Sequence, residues 1–112
     1  MFVIVLGDIY AQIPHLDAVR ELMRETQERA RQQPGCVSYS FAETLADPGH
    51  FVIAQEWRDE ASLEAHYRSE TYSDFQAKLE LLLVHSSDLR IHLVDETIRP
   101  VESVGDNPQF DE

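Results

Sequence analysis

Two strand-length runs, residues 36 to 44 and 51 to 58, carry small or apolar side chains on both faces, and this constrains the fold more than any other feature of the chain. In the first run Val37, Tyr39 and Phe41 share one face, while Cys36, Ser38, Ser40 and Ala42 share the other. In the second, Phe51, Ile53, Gln55 and Trp57 alternate with Val52, Ala54 and Glu56. Asp47-Pro48-Gly49 supplies the turn between them. A hairpin with two such faces needs covering on both sides. Helices are expected over one, and another sheet over the other.

The flanking segments supply the first cover. Residues 2 to 10 are apolar and rich in β-branched side chains, long enough for one strand and too short for a helix of ordinary length. Pro14 suits the first turn of a helix, and Asp17 sets a carboxylate near its positive end. Val19, Leu22, Met23, Thr26 and Ala30 then recur at helical spacing, which predicts an amphipathic helix over residues 15 to 32, ended by Pro34-Gly35. Asp59 or Ser62 can cap a second helical stretch that runs to Val84. Leu63, His66 and Tyr67 form its first face; after a break between Arg68 and Thr71, Tyr72, Phe75, Leu79 and Leu82 or Leu83 form a second. Alternation from Leu89 to Ile98 predicts a closing strand.

The order β-α-β-β-α-β is that of the ferredoxin-like split βαβ fold, an α+β domain with a four-stranded antiparallel sheet over residues 1–98. Residues 99–112 hold Pro100, Gly105, Asp106, Asn107 and Pro108, and are expected to form a tail or an arm on a partner. Helices on one side leave the other sheet face bare. With Val52, Ala54, Val3, Val5 and Ile9 on it, that face would exceed the apolar patch a monomer usually exposes, so a homodimer with facing sheets is expected. Glu56 would then point into the dimer interior, where a hydrogen bond across the interface suits it better than acid-base work.

Composition excludes several classes of function. The chain has 112 residues, 43% of them hydrophobic, enough for one domain with a core. Its 21 acidic against 9 basic residues give a net charge of −12, which opposes binding to nucleic acid or to an anionic membrane surface. No run approaches the ~20 apolar residues of a membrane span, and Phe2 to Leu6 lacks the basic flank of a signal segment. With Cys36 as the single cysteine, no internal disulfide forms, and a reducing, cytoplasmic setting is expected. The five histidines form no His-x-His or His-Glu-x-x-His spacing, so no metal is expected. Cys36 itself reads as a small buried residue.

The chemistry-bearing candidates cluster late in the chain. Trp57 shares a face with Ile53 and Gln55, under the helices, and can be both a core residue and a pocket wall. His66, in Glu64-Ala65-His66, ordinarily titrates near pH 6.5, and can take a phenolic proton, hydrogen-bond a substrate oxygen or simply cap a helix end. Tyr39, Tyr72 and Phe75 fall near the same place if the last helix packs over the hairpin.

The stretch from Pro34 to Phe75, with Pro-Gly-Cys-Val-Ser-Tyr, Phe-Val-Ile-Ala-Gln-Glu-Trp and Glu-Ala-His-Tyr, resembles the antibiotic biosynthesis monooxygenase family. The resemblance spans residues 2 to 98 and implies a dimeric α+β barrel. It also implies oxidation of quinols or polyphenols by O2 without a cofactor, with His66 as proton acceptor and Trp57, Tyr39, Tyr72, Phe75 and Ile53 around the ring. A haem-degrading branch uses a histidine on the last helix where this chain has Gln76, and an asparagine in a first strand that here has none; no haem is therefore expected. Two alternatives stay open: isomerisation of a small phosphorylated sugar, by a branch with a similar Glu-Ala-His element, and a dimeric small-molecule binding or stress protein without catalysis.

Overall fold

The structure, a computed structural model, describes residues 1–85, 87–101 and 109–110, with 101, 109 and 110 described by backbone alone. Four strands form one antiparallel sheet: β1 (Phe2–Tyr10), β2 (Cys36–Glu43), β3 (His50–Trp57) and β4 (Asp88–Val94), in the spatial order β2-β3-β1-β4. Helix α1 (Leu16–Ala30) joins β1 to β2; α2 (Glu60–Tyr67) and α3 (Glu70–Leu79) lie between β3 and β4. This is the ferredoxin-like arrangement that the sequence predicts, with its second helical stretch divided in two.

Helices α2 and α3 each begin at a side-chain cap. The Asp59 carboxylate accepts from the Ser62 backbone N–H at 2.8 Å, which satisfies one of the free donors of α2. The Ser69 hydroxyl does the same for Tyr72 at 3.2 Å and starts α3. The apolar stripe of α1 is buried as its spacing requires, with Val19, Leu22, Met23, Thr26 and Ala30 all against the sheet.

Register corrects the expected face of β1. Val3 pairs with Trp57, Val5 with Gln55 and Ile9 with Phe51, and directly opposed residues share a face. Val3, Val5 and Ile9 are therefore wholly buried under the helices rather than on the open side. Ile4 and Leu6 take their place there, opposite Glu56 and Ala54. A second correction falls on β2. The ladder shifts between Cys36 and Ser38, and the extra residue of this bulge turns Val37 out, leaving it 53% exposed. Cys36 instead packs beside the cluster of Val3, Tyr39 and Trp57.

The closing strand is shorter than the alternation suggests, ending at Val94 rather than Ile98. Its register puts Leu89, Ile91 and Leu93 on the helix side, opposite Gly7, Val5 and Val3, yet all three remain exposed. The segment 99–112, expected as a tail or arm, lies mostly outside the described residues. Within it, Pro100 and Val101 pair with Phe110 and Gln109.

The turn between α1 and β2 sets the chain against α2. Cys36 N–H donates to the Gln33 carbonyl at 3.2 Å, Pro34 occupies the second position and Gly35 has φ of +82°, the pattern of a type II turn. A Cβ on Gly35 would also collide with the Ser62 side chain. Gly35→Ala is therefore expected to destabilise the protein by about 1–3 kcal/mol, from left-handed backbone strain and displacement of α2. Urea unfolding measures this, and an unchanged midpoint would contradict the packing of the turn on α2.

Candidate functional site

A histidine in a cage of aromatic rings occupies the junction of α2, α3 and the β2-β3 hairpin. His66 stands in the last turn of α2 and is 1% exposed. Its ring centroid lies 4.8 Å from that of Trp57, 5.4 Å from Tyr39, 5.4 Å from Tyr72 and 5.7 Å from Tyr67. The break between the two helices makes this possible, because Ser69 starts α3 in a new direction and brings Tyr72 back over the imidazole.

Both ends of the cage are anchored. Trp57, fully buried, donates its indole N–H to Gln55 Oε1 at 2.9 Å. His66 Nδ1 meets Gln33 Oε1 at 2.6 Å. The second ring nitrogen, Nε2, is buried without a hydrogen-bond partner, and it alone among the buried side-chain nitrogens and oxygens of the described residues is in that position. Leaving a buried acceptor unsatisfied costs about 1–3 kcal/mol. Such an atom is ordinarily met by a bound water or a ligand group.

Electrostatics follow from burial. Desolvation lowers the His66 pKa from 6.5 to about 4, so the imidazole is neutral throughout the physiological range. The ordinary titration near pH 6.5 expected from sequence does not hold at this site. Burial raises the Tyr39 hydroxyl well above its usual value, with smaller contributions from Tyr67 and Tyr72. Tyr67 and Tyr72 are raised in the same direction, again mainly by burial. Every phenol in the cage is thus protonated, and the rings of the cage carry no formal charge.

The predicted site residues divide between two spaces. Tyr39, Ile53, Tyr72 and Phe75 line a narrow cavity of about 30 Å³, together with Tyr67 and Gln55. That is room for a water molecule and not for an aromatic ring. Phe75 reaches the cage through Phe41, at 5.4 Å between centroids, rather than through the histidine. His66 lines a separate open pocket of about 380 Å³ with Gln33, Pro34, Arg58, Asp59 and Ser69. Trp57 is a wall of neither space and touches the site through the imidazole. Gln33, Gln55, Tyr67 and Ser69 were not singled out in the sequence as site residues. Tyr67 follows His66 directly, but Gln33 lies 33 positions away, and only the folded turn brings it close. No group of three or more histidine, cysteine or acidic side chains suited to a metal occurs among the described residues, and no helix there is long and apolar enough to cross a membrane.

The fold and cage define a ferredoxin-like α+β protein with a neutral histidine in a cage of aromatic rings. Residues 2–78 match the family model described as antibiotic biosynthesis monooxygenase, and the chain belongs to that family. An uncharacterised protein of Synechocystis is 28% identical over 95 residues, covering 85% of this chain; the chain spans 65% of that relative's length. Among solved structures, a candidate antibiotic biosynthesis monooxygenase of Deinococcus radiodurans superposes with a TM-score of 0.83 at 25% identity, over 89% of this chain and 99% of that one. Another structure described as an antibiotic biosynthesis monooxygenase gives 0.78 at 26%, over 84% and 99%.

The lowered His66 pKa makes a stability prediction. Between about pH 4 and 6.5 the unfolded chain binds a proton at this position that the folded chain refuses, so stability falls as pH drops through that window and is fully present above it. The shift corresponds to about 3 kcal/mol. Chemical unfolding at pH 7 and pH 4 is expected to show the parent losing about 2–3 kcal/mol more than His66→Phe. Equal losses would contradict a buried, neutral imidazole.

Proposed function

We propose that the protein is a cofactor-independent monooxygenase that oxidises a quinol or polyphenol with O2, His66 Nε2 accepting the phenolic proton. The observation that carries this reading is the unpartnered Nε2 of a buried histidine surrounded by aromatic rings. The ring would seat in the cavity lined by Tyr39, Ile53, Tyr72 and Phe75, which His66 does not line; rotation of the half-buried Tyr67 and Tyr72 would have to both enlarge it and open it to the imidazole. Trp57 backs the imidazole and limits its tilt.

The chemistry balances without a cofactor. A hydroquinone and O2 contain the atoms of a hydroxyquinone and one water: the ring loses a proton and an electron, superoxide forms, the radical pair joins, and the peroxide loses water. What the protein must supply is position, a proton acceptor and exclusion of solvent. A phenol has a pKa of about 10, so complete transfer to an imidazole whose conjugate acid has a pKa of about 4 costs about 8 kcal/mol before any electron moves. Loss of the proton together with the electron avoids that cost, since the oxidised phenol is a strong acid. His66 needs no prior deprotonation at neutral pH.

Oxygen uptake over a panel of quinols tests this. Turnover above the buffer rate is expected to be level from about pH 5.5 to 8 as far as His66 governs it, and to fall as pH approaches 4. His66→Ala is expected to lower it about 100-fold. If parent and variant both match the buffer rate for every quinol, small-molecule binding without catalysis becomes the better reading. Its supporting observation is the open pocket beside Gln33 and Arg58. A phosphorylated sugar fits less well, because the one cationic wall of that pocket, Arg58, lies 3.5 Å from Asp59.

We also propose pairing of two chains through the open sheet face, where Ile4, Leu6, Val52 and Ala54 lie without helices above them. Glu56→Lys, a long cation on the same face, is expected to weaken the dimer in sedimentation. Undiminished association would place the interface elsewhere.

A further inference from the structure

We propose that Gln33 and Ser69 are positioning residues that lock His66 in the Nδ1–H tautomer, leaving Nε2 as a bare acceptor for the substrate hydroxyl. The role in turnover rests on the proposed monooxygenase activity; the lock itself does not.

Proton counting fixes the tautomer. Ser69 Oγ has one hydrogen, and it lies 2.6 Å from the His66 carbonyl oxygen, which can only accept. With its hydrogen committed there, the hydroxyl must accept from its other neighbours, the Tyr72 backbone N–H at 3.2 Å and Gln33 Nε2 at 3.1 Å. The Gln33 amide therefore points its NH2 group to Ser69 and its oxygen to the ring. An amide oxygen has no proton to give, so the 2.6 Å contact requires His66 Nδ1 to carry one. A neutral imidazole holds a single N–H. Nε2 is then left with its lone pair, and it is the buried atom that has no partner.

The chain builds this relay from parts with other reasons to exist. Ser69 is already the cap of α3. Gln33 is held at the first position of the type II turn, where Pro34 favours an extended backbone for the residue before it and the Gln33 N–H donates to Ala30 at 3.0 Å. The side chain thus reaches the histidine from a rigid corner. Reversal of the amide would set two acceptors, the Gln33 oxygen and Ser69 Oγ, against each other and would turn the NH2 group onto a protonated Nδ1; the other tautomer therefore requires the clash at Ser69, which disfavours it.

Long-range 15N–1H correlation spectra of the 15N-labelled protein at pH 7 test the lock independently of turnover. The parent is expected to show His66 with Nδ1 protonated and Nε2 of lone-pair type. Gln33→Leu is expected to give a tautomer mixture and at least a tenfold lower kcat on a quinol the parent oxidises, with KM changed less than kcat. Gln33→Glu keeps an acceptor beside Nδ1, so it should retain the tautomer while its carboxylate moves the acid limb of the pH profile upward. A parent with Nε2 protonated, or a Gln33→Leu variant with an unchanged tautomer, would overturn the lock. A changed tautomer with unchanged kcat would overturn its part in turnover. If the parent oxidises no quinol while the spectra behave as expected, the lock stands and the monooxygenase reading falls.

Discussion

The hydrogen bond between His66 and Gln33 is the interaction on which the site depends. An imidazole taken out of water and surrounded by Trp57, Tyr39, Tyr67 and Tyr72 loses hydration at both nitrogens, and protein groups restore it at only one. Burial keeps the ring neutral, and in the proposed tautomer the asymmetry leaves Nε2 as its acceptor. A fully satisfied histidine would be a core residue and nothing more. An exposed one would titrate near neutrality and spend much of its time as a cation, unable to accept a proton.

The scaffold holds this arrangement through the division of labour between the sheet faces. On the helix side, the pairing of Val3 with Trp57 and of Val5 with Gln55 packs β1 and β3 into a floor that fixes the indole. The Gln55 amide oxygen, on a buried side chain, takes the indole N–H. The helices then need only one discontinuity, at Arg68 and Ser69, to turn two histidine-proximal tyrosines inward from different directions. The same discontinuity supplies the hydroxyl that orients Gln33.

Much of the fold was legible because periodicity reports burial. The stripe of α1 and the alternation of β3 appear in the structure at the residues where spacing put them. The face of β1 was not legible. Phe2 to Tyr10 is apolar nearly throughout, and only its register against Trp57 decides which residues go under the helices. The bulge at Cys36 likewise leaves no mark on alternation beyond a misplaced Val37. At the site, local pattern picked out the aromatic rings and the histidine, since they lie within one stretch of chain. It could reveal neither the smallness of the cavity between them nor Gln33, because both depend on how distant segments close on each other.

Titration of the His66 ring by NMR is the most direct test that burial keeps this imidazole neutral and available as an acceptor. The expected result is no change in its Cε1–H resonance from pH 8 to about 5.5 and a midpoint near 4. A midpoint near 6.5, the value of a histidine in water, would contradict it.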